Sequence, residues 1–574
     1  MPSKKTRPHA PACRALLGAL PVLLSSNYAA ATPCSSIPAG APWIDCDLAV
    51  LPSYQPLAPT AVSFSSSDAL AQALFAHAEE CALGNTLQIA TGFEVLTEGG
   101  GYGNVWLETQ PMGGAMYGLR NLTLAVNNQL VFMRAQRLDG RLPGMISRAG
   151  GATINPTYSW PGNANLSMLQ GFYFASPSLD VAALMNSSAA GAAGAAAFVE
   201  ELRPVLEKFW GWIWSERNSS SGVLWLSGTS DTGEDNSDKF GGFSGPFLSM
   251  DMMAYAHDAA RALARIASLQ GDDAALAAWT ARMADVAAAL KAWLWREEIG
   301  AAFDRERDGA QAFVTTLVHN NVRAMWAGVF DQGMADDFVA RHLMNRSEFF
   351  TPTPLPSIAV SDPHFHDNAG NDWSGPPQGL TFQRAIRALE SYGHHAELLL
   401  AGAQQRAALA TTMRFPQQID PFTSQPDSGD CYGPMLLSAL EYAALTTGIA
   451  VRPGVLLWSA VDVSGGAQPQ PAFSFSQLLG DATFTLTGFA NGTFVGARGG
   501  AQLFAASGSA RVVTDATGAV TGVVGAGAAP QTVELALPGA GQPVRLVVAP
   551  NEEWAVSAGQ APVLTRKVPF VAPY

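Results

Sequence analysis

The chain has 574 residues, of which 48% are hydrophobic and 14% charged, and this balance excludes a disordered chain. Its 33 Lys and Arg stand against 47 Asp and Glu, a formal net charge of −14. Such an acidic chain lacks the basic surface with which proteins bind nucleic acid or anionic membranes, so we expect neither as a partner.

The N-terminus has the features of a secretory signal peptide. A basic stretch is followed by the apolar residues 15–24 and by the small residues 29–31. The apolar run is about ten residues, half of what a membrane-spanning helix needs. We therefore expect residues 1–31 to be removed on export, and the mature protein to be secreted or to lie in the secretory-pathway lumen. An uncleaved anchor or a disordered tail is the alternative.

Glycosylation sequons and cysteines agree with export. Cys13 leaves with the signal, and Cys34, Cys46, Cys81 and Cys431 remain, an even number that permits two disulfides. A Cys34–Cys46 bond would close the shortest loop, but the connectivity stays open. The N-x-S/T sequons, of which a chain this long has a few by chance, are Asn121, Asn165, Asn186, Asn218, Asn345 and Asn491.

Three segments follow the signal. Residues 32–66 are rich in Pro, Ser and Ala, and we predict an irregular N-terminal arm, or edge strands, there. Residues 67–452 have mostly helical periodicity. In residues 453–574 apolar side chains alternate with a period of two, which predicts a small antiparallel, sandwich-like β domain. Whether this domain only covers the helices or also contacts sugar is left open.

The pattern of residues in the helical segment predicts helical hairpins, each made of two helices joined by a tight turn. Apolar residues in 252–269 recur at steps of three and four, Gly271 ends that helix, and Asp272 or Asp273 can cap the next. Similar apolar helices are predicted near residues 118–136, 196–214, 319–343, 381–410 and 433–448, and a long glycine-rich, aromatic segment follows each. Such pairs predict a mainly α fold, an α/α toroid with its site in the loops at one end. The alternative, a multi-helix bundle, would have short loops.

Three of these loops mix tryptophan with carboxylates, amides and glycines. They are residues 106–117, 225–237 and 371–378. Flat rings cover the C–H face of a sugar and polar groups bind its hydroxyls, so this composition indicates a sugar site. The alternative is that the tryptophans fill a large core and the acids cap helices.

The second loop carries three carboxylates within five residues, Asp231, Glu234 and Asp235. Their repulsion is expected to keep one of them protonated near neutral pH, which is what departure of a glycosidic oxygen requires. An acidic calcium loop is the alternative, but its D-x-D-x-D-G spacing is absent. We expect no cofactor and no metal, and His364 and His366 are the alternative metal ligands.

An ordered set of motifs runs through the helical region. Segment 230–237 (S-D-T-G-E-D-N-S) and segment 371–376 (N-D-W-S-G-P) are similar to W-[ED]-[ST]-G-x-D-N-S and N-Y-W-R-G-P of one enzyme family. Through these motifs, residues from about 103 to 445 resemble glycoside hydrolases of the mannosylglycerate-hydrolase and processing α-glucosidase type. The resemblance implies a six-hairpin (α/α)6 barrel, and it implies that Asp235, in the D-N-S step, is the general acid.

Two positions depart from that family. Ser374 stands where the family has Arg, which removes a bidentate clamp. Gln417 stands at the Glu of the family's E-x-x-[DN]-P, its general base. An amide cannot take a proton from water, so another carboxylate must replace it or the site binds sugar without cleaving it. The base stays unassigned: the candidates for that carboxylate are Glu108, Asp420, Asp427 and Asp430, of which we favour Glu108 and Asp420.

The sequence therefore predicts a secreted glycoside hydrolase that cleaves an α-linked glycosidic bond by inversion. Its partner would be an oligosaccharide or glycoside substrate. A non-hydrolytic carbohydrate-binding protein on the same barrel is the alternative, and a toroidal lyase or epimerase, with Tyr432 and the two histidines, is a third. The expected catalytic residues are Asp235, Glu108 and Asp420, and the expected sugar contacts are Trp106, Trp225, Glu234, Asn236, Asn371, Trp373 and Gln417.

Overall fold

The computed structural model describes residues 46–47, 54, 56–150, 153–158, 169–243, 245–463, 471–539 and 541–574. The predicted signal peptide, Cys34 and Asn165 lie outside these residues. Within them, no helix combines the length and the apolar character needed to span a bilayer.

The first part of the described chain is mainly helical. A short 3-10 helix covers Thr229–Asp231, and the π-helical turn Val339–Leu343 continues the ninth α-helix. The α-helices are α1 (Ala69–Gly84), α2 (Gln110–Tyr117), α3 (Leu122–Arg134), α4 (Ala175–Met185), α5 (Ala192–Arg217), α6 (Met250–Gln270), α7 (Asp273–Trp293), α8 (Asn320–Ala327), α9 (Gln332–Phe338), α10 (Gly379–Ser391), α11 (His395–Thr412) and α12 (Gly433–Thr447).

The predicted hairpin of α6 and α7 is confirmed. Gly271 ends α6 in the left-handed conformation (φ 70°), and the Asp272 carboxylate accepts the Ala275 N–H at the start of α7. Most of α6 is buried, whereas α7 buries only Trp279, Val286 and Leu290. A helix buried nearly all round lies inside the molecule, so α6 is the inner helix of the pair and α7 the outer one.

The even-numbered helices contact one another in a cycle. Contacts join α2 to α4, α4 to α6, α6 to α8, α8 to α10, α10 to α12, and α12 back to α2. The odd-numbered helices α3, α5, α7 and α11 pack on even-numbered partners. The segments that precede the even-numbered helices hydrogen-bond to one another, so they meet at one end of this cycle.

The last part of the chain is a β region of two large antiparallel sheets. One has the strand order β2-β15-β16-β17-β18-β21-β22 and the other β13-β14-β19-β20-β23-β24. The strands are β1 (Cys46–Asp47), β2 (Thr60–Ser66), β3 (Thr86–Ala90), β4 (Phe93–Leu96), β5 (Val105–Trp106), β6 (Met145–Gly150), β7 (Thr153–Thr157), β8 (Trp225–Leu226), β9 (Phe247–Leu248), β10 (Trp295–Arg296), β11 (Ala301–Ala302), β12 (Arg305–Glu306), β13 (Gly448–Arg452), β14 (Val455–Ala460), β15 (Phe473–Leu479), β16 (Ala482–Gly488), β17 (Thr493–Arg498), β18 (Ala501–Ser507), β19 (Ala510–Asp515), β20 (Val520–Val524), β21 (Gln531–Ala536), β22 (Val544–Val548), β23 (Glu552–Ala555) and β24 (Val563–Lys567).

Part of the N-terminal arm forms an edge strand, the second of the two predicted alternatives. Its residues Thr60–Ser66 form β2, an edge strand that pairs along β15 from Phe64 opposite Phe475 to Thr60 opposite Leu479. Alternating burial along β2 explains the pairing, because one face of the strand lies on the sheet's core. The arm therefore joins the C-terminal sheet.

One disulfide is described, between Cys81 in α1 and Cys431 just before α12. It joins residues 350 positions apart and fixes the segment before α12 to the first helix. The Asn85 side chain adds a 2.8 Å hydrogen bond to the Cys431 carbonyl. The segment that precedes α12 is thus anchored close to the candidate site described next.

Candidate active site

A chain of hydrogen bonds connects Asp235 to Gln417 across the end of the helical cycle. The Tyr102 hydroxyl donates to Gln417 Oε1 at 3.0 Å, and Gln417 Nε2 donates to Asn371 Oδ1 at 3.0 Å. The Asn371 side chain in turn hydrogen-bonds the Asp235 carboxylate. One amide and two hydrogen bonds separate Gln417 from Asp235, which keeps the two side chains within about 9 Å.

Asp235 lies exposed on the loop between the 3-10 helix and α6. The burial of its immediate surroundings raises the pKa of Asp235, and hydrogen bonds from its own backbone N–H and from Asn371 offset part of that rise. The neighbouring residue Asn236 binds the same third loop, since its side chain donates to the Asn371 carbonyl and accepts the Trp373 N–H. The second and third loops are thereby held together around Asp235.

The two other carboxylates of this loop are paired with cations, which corrects the prediction of mutual repulsion. Glu234 is buried and accepts from Arg323 Nη2 at 2.6 Å and His319 Nε2 at 2.6 Å, and Lys239 lies 3.3 Å away. Burial opposes ionisation, but Arg323, Lys239 and His319 together hold the pKa of Glu234 well below its usual range. Glu234 is therefore an ionised structural group of the loop.

The Asp231 carboxylate is likewise paired with a cation, Arg217. Its buried carboxylate accepts from Arg217 Nη1 at 2.7 Å and from the backbone N–H and hydroxyl of Ser227 at 2.7 and 2.8 Å. It also accepts the Leu169 N–H at 3.1 Å. Burial, and not repulsion within the loop, is the cause that raises the pKa of Asp235.

Glu108 lies beneath the same loop. Burial raises the pKa of Glu108 to about 7, against the charges of Arg384 and Arg323. Gln170 Nε2 is 3.4 Å from its Oε1, while its buried Oε2 has no hydrogen-bond partner among the described residues. Gly233 packs directly on this carboxyl, and a Cβ at that position would collide with it.

Glu98 belongs to this cluster and was not among the predicted residues. It accepts the Tyr432 hydroxyl at 2.7 Å, and burial and then the charge of Glu108 raise the pKa of Glu98 to about 8. Three glycines with positive φ follow it, and they turn the chain back to Tyr102. A sequence signal for it existed in the run E-G-G-G-Y, a carboxylate before a turn that only glycine adopts readily.

Asp420 has a different role from the predicted base. Its Oδ1 accepts the N–H groups of Phe422 and Thr423 at 2.8 and 2.7 Å. Although burial opposes it, these backbone bonds lower the pKa of Asp420. The carboxylate thus stabilises a turn, and no hydrogen bond links it to the Tyr102–Asp235 chain in the described residues.

The predicted tryptophans are less available to a sugar than expected. The guanidinium groups of Arg217 and Arg307 lie 4.6 and 4.5 Å from the centre of the Trp225 ring. Trp373 exposes 2% of its surface and lies near the His319 ring. Trp106 is half-buried. Trp373 thus packs a wall of the site, whereas Trp225, like Trp106, is only partly buried.

His364 and His366, the alternative metal ligands, do not belong to one common cluster of possible ligands in the described residues. His366 contacts Asp372 and Asp238 at 3.0 and 3.1 Å, and His364 pairs with Asp362. Across the described residues, the one set close enough to share an ion is His77, Cys81, Asp430 and Cys431. The two sulfur atoms of that set are bonded to each other.

The sequence profile of the mannosylglycerate hydrolase MGH1-like glycoside hydrolase domain matches residues 112–433, more than half of the chain. No curated protein matches the chain. The profile covers Asp235, Asn371 and Gln417, and it ends at Gly433, where α12 begins.

Solved structures share the fold. A GH63 mannosylglycerate hydrolase from Thermus thermophilus in complex with glucose is 17% identical over 64% of this chain and 99% of its own, with a TM-score of 0.53. A protein described as a sialidase is 12% identical over 83% and 42%, with a TM-score of 0.58. The neutral trehalase Nth1 from Saccharomyces cerevisiae is 13% identical over 62% and 74%, with a TM-score of 0.51.

Proposed function

The chain belongs to the mannosylglycerate hydrolase MGH1-like glycoside hydrolase family and is a glycosidase, and we propose that it cleaves an α-linked glycosidic bond by inversion with Asp235 as its general acid. One observation carries the proposal. Asp235 occupies the family's acid position, its pKa is raised, and Asn371 connects it to Gln417 at the family's base position. A carboxyl whose pKa is raised and that still reaches solvent is suited to protonate a departing glycosidic oxygen.

We also propose that the helical domain is a closed (α/α)6 toroid. The contact cycle from α2 through α12 and back to α2 supports six inner helices, and the packing of α3, α5, α7 and α11 supports an outer layer. In such a toroid the loops before the inner helices surround the axis at one end. Asp235, Asn371 and Gln417 all lie in loops of this kind, which explains how residues far apart in sequence come together.

The connection between the acid and the family's base position is compatible with inversion. An inverting enzyme keeps its two catalytic groups about 6.5–9.5 Å apart, so that a water fits on the face opposite the leaving group. The hydrogen-bonded connection through Asn371 keeps Gln417 within this limit of Asp235. Gln417 itself cannot accept the water's proton, so it can orient the water or a sugar hydroxyl and the base must be a carboxylate.

The substrate we propose is a small glycoside with an α-linked mannosyl or glucosyl unit. The names of the similar structures support this choice, since one is a mannosylglycerate hydrolase in complex with glucose and another a neutral trehalase. Ser374, which is buried and accepts the Asp238 N–H at 2.8 Å, stands where the family has Arg. Without that cation, we expect weaker binding of an anionic aglycone such as a carboxylate.

The second candidate is a sugar-binding protein without hydrolysis, and Gln417 is the observation that favours it. The two functions are separated by measuring hydrolysis of α-linked mannosides and glucosides by the wild type, Asp235→Asn and Gln417→Glu. We expect wild-type turnover and a loss of about 10²–10⁴-fold in Asp235→Asn. Asp238→Asn, the same change at an exposed position three residues away, is the control and should keep activity.

Either of two results would reject the hydrolase. In one, the wild type binds a mannoside or glucoside by calorimetry but releases no product, and Gln417→Glu gains activity; this result supports the binding protein. In the other, Asp235→Asn is as active as Asp238→Asn, which removes Asp235 from the acid role.

We propose that the protein works in the secretory pathway or outside the cell. The disulfide Cys81–Cys431 supports this location, because such bonds persist in oxidising compartments. Expression of the full chain in a eukaryotic cell should release a protein whose N-terminus lies after about residue 31. Retention in the cytosol with both cysteines reduced would contradict the location without affecting the proposed reaction.

A further inference from the structure

We propose that Glu98 is the general base of this enzyme and does the work that glutamine at position 417 cannot do. The inference rests on the proposed glycosidase function. It assigns the missing carboxylate to a residue outside the matched family region, in the turn between β4 and β5.

The local geometry places Glu98 beside the family's base position. The turn of three glycines brings Tyr102 back over Glu98, with the Tyr102 N–H donating to the Gly99 carbonyl at 2.9 Å. The Tyr102 hydroxyl then donates to Gln417 Oε1. Glu98 and Gln417 therefore share Tyr102 as a neighbour, and the charge of Glu98 raises the pKa of that tyrosine.

Glycine is required for this arrangement. Gly99 and Gly100 have φ of 72° and 61°, and a Cβ on Gly99 would meet Asn85 and the Cys431 carbonyl. A Cβ on Gly100 would press on the Tyr432 ring at about 3.1 Å. The turn thus packs backbone directly against the segment that ends in Tyr432, which leaves the Glu98 carboxyl oriented by the Tyr432 hydroxyl.

The other carboxylates near the site are less suited to the role. Oε2 of Glu108 is sealed from solvent, has no hydrogen-bond partner among the described residues, and lies against Gly233 and 3.9 Å from Arg384 Nη2. Asp420 is held by backbone N–H groups in its turn. Glu98 is buried to the same extent as Glu108, but Tyr432 donates to its Oε1, and its Oε2, which has no hydrogen-bond donor among the described residues, is not sealed from solvent as Oε2 of Glu108 is. We infer that this oxygen accepts the proton of the water.

The groups that face Glu98 determine when it is ionised. Burial and the charges of Glu108 and Asp235 oppose ionisation, while the Tyr432 hydroxyl and the Arg384 guanidinium favour it. The balance holds its pKa near 8, so the fraction of enzyme with an ionised Glu98 grows as the pH rises toward 8. We therefore expect base-dependent turnover to increase between pH 6 and 8.

The step balances without another reactant. Water oxygen forms a bond to the anomeric carbon while the bond from that carbon to the glycosidic oxygen breaks. Asp235 gives its proton to the departing oxygen, and Glu98 takes one proton from the attacking water. The enzyme is left with an ionised Asp235 and a protonated Glu98, and one proton exchange through solvent restores both.

Glycosyl fluorides test this assignment, because fluoride leaves without a proton and its hydrolysis needs the base but not the acid. The measurement is kcat/KM for α-mannosyl and α-glucosyl fluoride with the wild type, Asp235→Asn, Glu98→Gln and the control Glu94→Gln, an exposed glutamate four residues earlier. We expect Asp235→Asn to stay within about tenfold of the wild type and Glu98→Gln to lose about 10²–10⁴-fold.

Two further readouts separate a base from a residue that only supports the fold. In Glu98→Ala, azide should restore consumption of the fluoride and give the β-glycosyl azide, since a small nucleophile needs no base. In the wild type, kcat/KM on the fluoride should rise with a pKa near 8, and Glu98→Asp should retain a pH-dependent rise.

The outcomes distinguish this inference from the proposed function. If the wild type and Asp235→Asn behave as expected but Glu98→Gln hydrolyses the fluoride like Glu94→Gln, Glu98 is not the base and the glycosidase stands. If no azide product forms with Glu98→Ala although its thermal unfolding matches the wild type, the inference is also overturned. A wild type that hydrolyses neither glycosides nor fluorides overturns both.

Discussion

At the scale of single residues, the sequence around Asp235 places three carboxyls within five positions, and the structure pairs two of them with cations. The cations come from elsewhere in the chain, Arg217 for Asp231 and Arg323 for Glu234. The motif D-x-G-x-D-N-S predicts that Asp235 is the acid. It could not predict which neighbours stay ionised, because that depends on cations that only the fold brings within reach.

The general base is a second case in which the sequence could not predict which side chains the fold brings together. Gln417 revealed from sequence that a carboxylate was missing, and Glu108 and Asp420 were reasonable substitutes by residue type. Glu98 was missed because its proximity to Gln417 depends on a three-glycine turn and on Tyr432, more than 300 positions away.

A buried carboxyl of this kind has a measurable effect on stability. The pKa of Glu98 is about 8 in the folded protein against an ordinary 4.5, so the folded state keeps its proton where the unfolded state has lost it. Stability is therefore lost as the pH rises from 4.5 toward 8, by about 1.4 kcal/mol for each unit of pKa shift. Gln resembles the protonated side chain and does not titrate, so Glu98→Gln should exceed the wild type in stability at pH 8 by a few kcal/mol.

Urea unfolding at pH 5 and pH 8 measures this effect. The advantage of Glu98→Gln over the wild type should be small at pH 5 and grow toward pH 8, while Glu94→Gln should follow the wild type at both. An equal difference at the two pH values would show that Glu98 titrates normally in the folded protein.

At the scale of elements, the helix pairs and the strands were the most predictable part. Gly271 and Asp272 predicted the hairpin of α6 and α7. The alternation of apolar and polar side chains predicted β15, β16, β21 and β22, because each of these strands buries one face. The pairing of β2 with β15 was not predictable, since it joins residues about 400 positions apart and depends on which sheet edge is open.

The loop before α6 provides a test at this scale through a pair of matched glycines. Gly233 and Gly222 have φ of 81° and 75°, but a Cβ at Gly222 meets nothing within 4 Å, whereas at Gly233 it collides with Glu108. Both Ala variants bear the strain of positive φ, about 1 kcal/mol. We expect Gly233→Ala to be less stable than Gly222→Ala by a further 1–3 kcal/mol, roughly the cost of overpacking.

Gly233→Ala should also lose more activity than Gly222→Ala, because displacement of Glu108 moves the loop that carries Asp235. Thermal unfolding and kcat/KM on an active glycoside measure the two effects. If Gly233→Ala and Gly222→Ala are equal in both, then the loop does not rest on the Glu108 carboxyl.

At the scale of the whole molecule, helical and β regions are tied together at several points. Arg452, at the end of β13, binds Glu390 and Glu441 of the helical region at 2.7 Å each. The Asn551 side chain donates to Glu397 of α11 at 2.8 Å. The sequence predicted both regions but not this joining, because charged pairs across an interface leave no periodic signal in the chain.

The disulfide joins the first helix to the segment before the last one, and its removal gives a whole-molecule prediction. A bond between residues 350 positions apart constrains the unfolded chain strongly, so the double variant Cys81→Ser/Cys431→Ser should lose about 2–5 kcal/mol of unfolding free energy. Activity should fall as well, because Cys431 precedes Tyr432, the donor to Glu98.

Urea unfolding with and without reductant measures this loss. Reductant should shift the wild-type midpoint to that of the double variant and leave the variant unchanged. A wild-type midpoint that does not respond to complete reduction would contradict the stabilising role of the bond.

The central claim is inverting hydrolysis with Asp235 as the acid, and proton NMR of the first product tests it most directly. The purified enzyme is mixed with an α-linked mannoside or glucoside that it cleaves, and the anomeric signals are followed before the released sugar mutarotates. We expect the β-anomer to appear first with the wild type and neither anomer to appear on this timescale with Asp235→Asn. Initial release of the α-anomer, or unchanged product formation by Asp235→Asn, would contradict it.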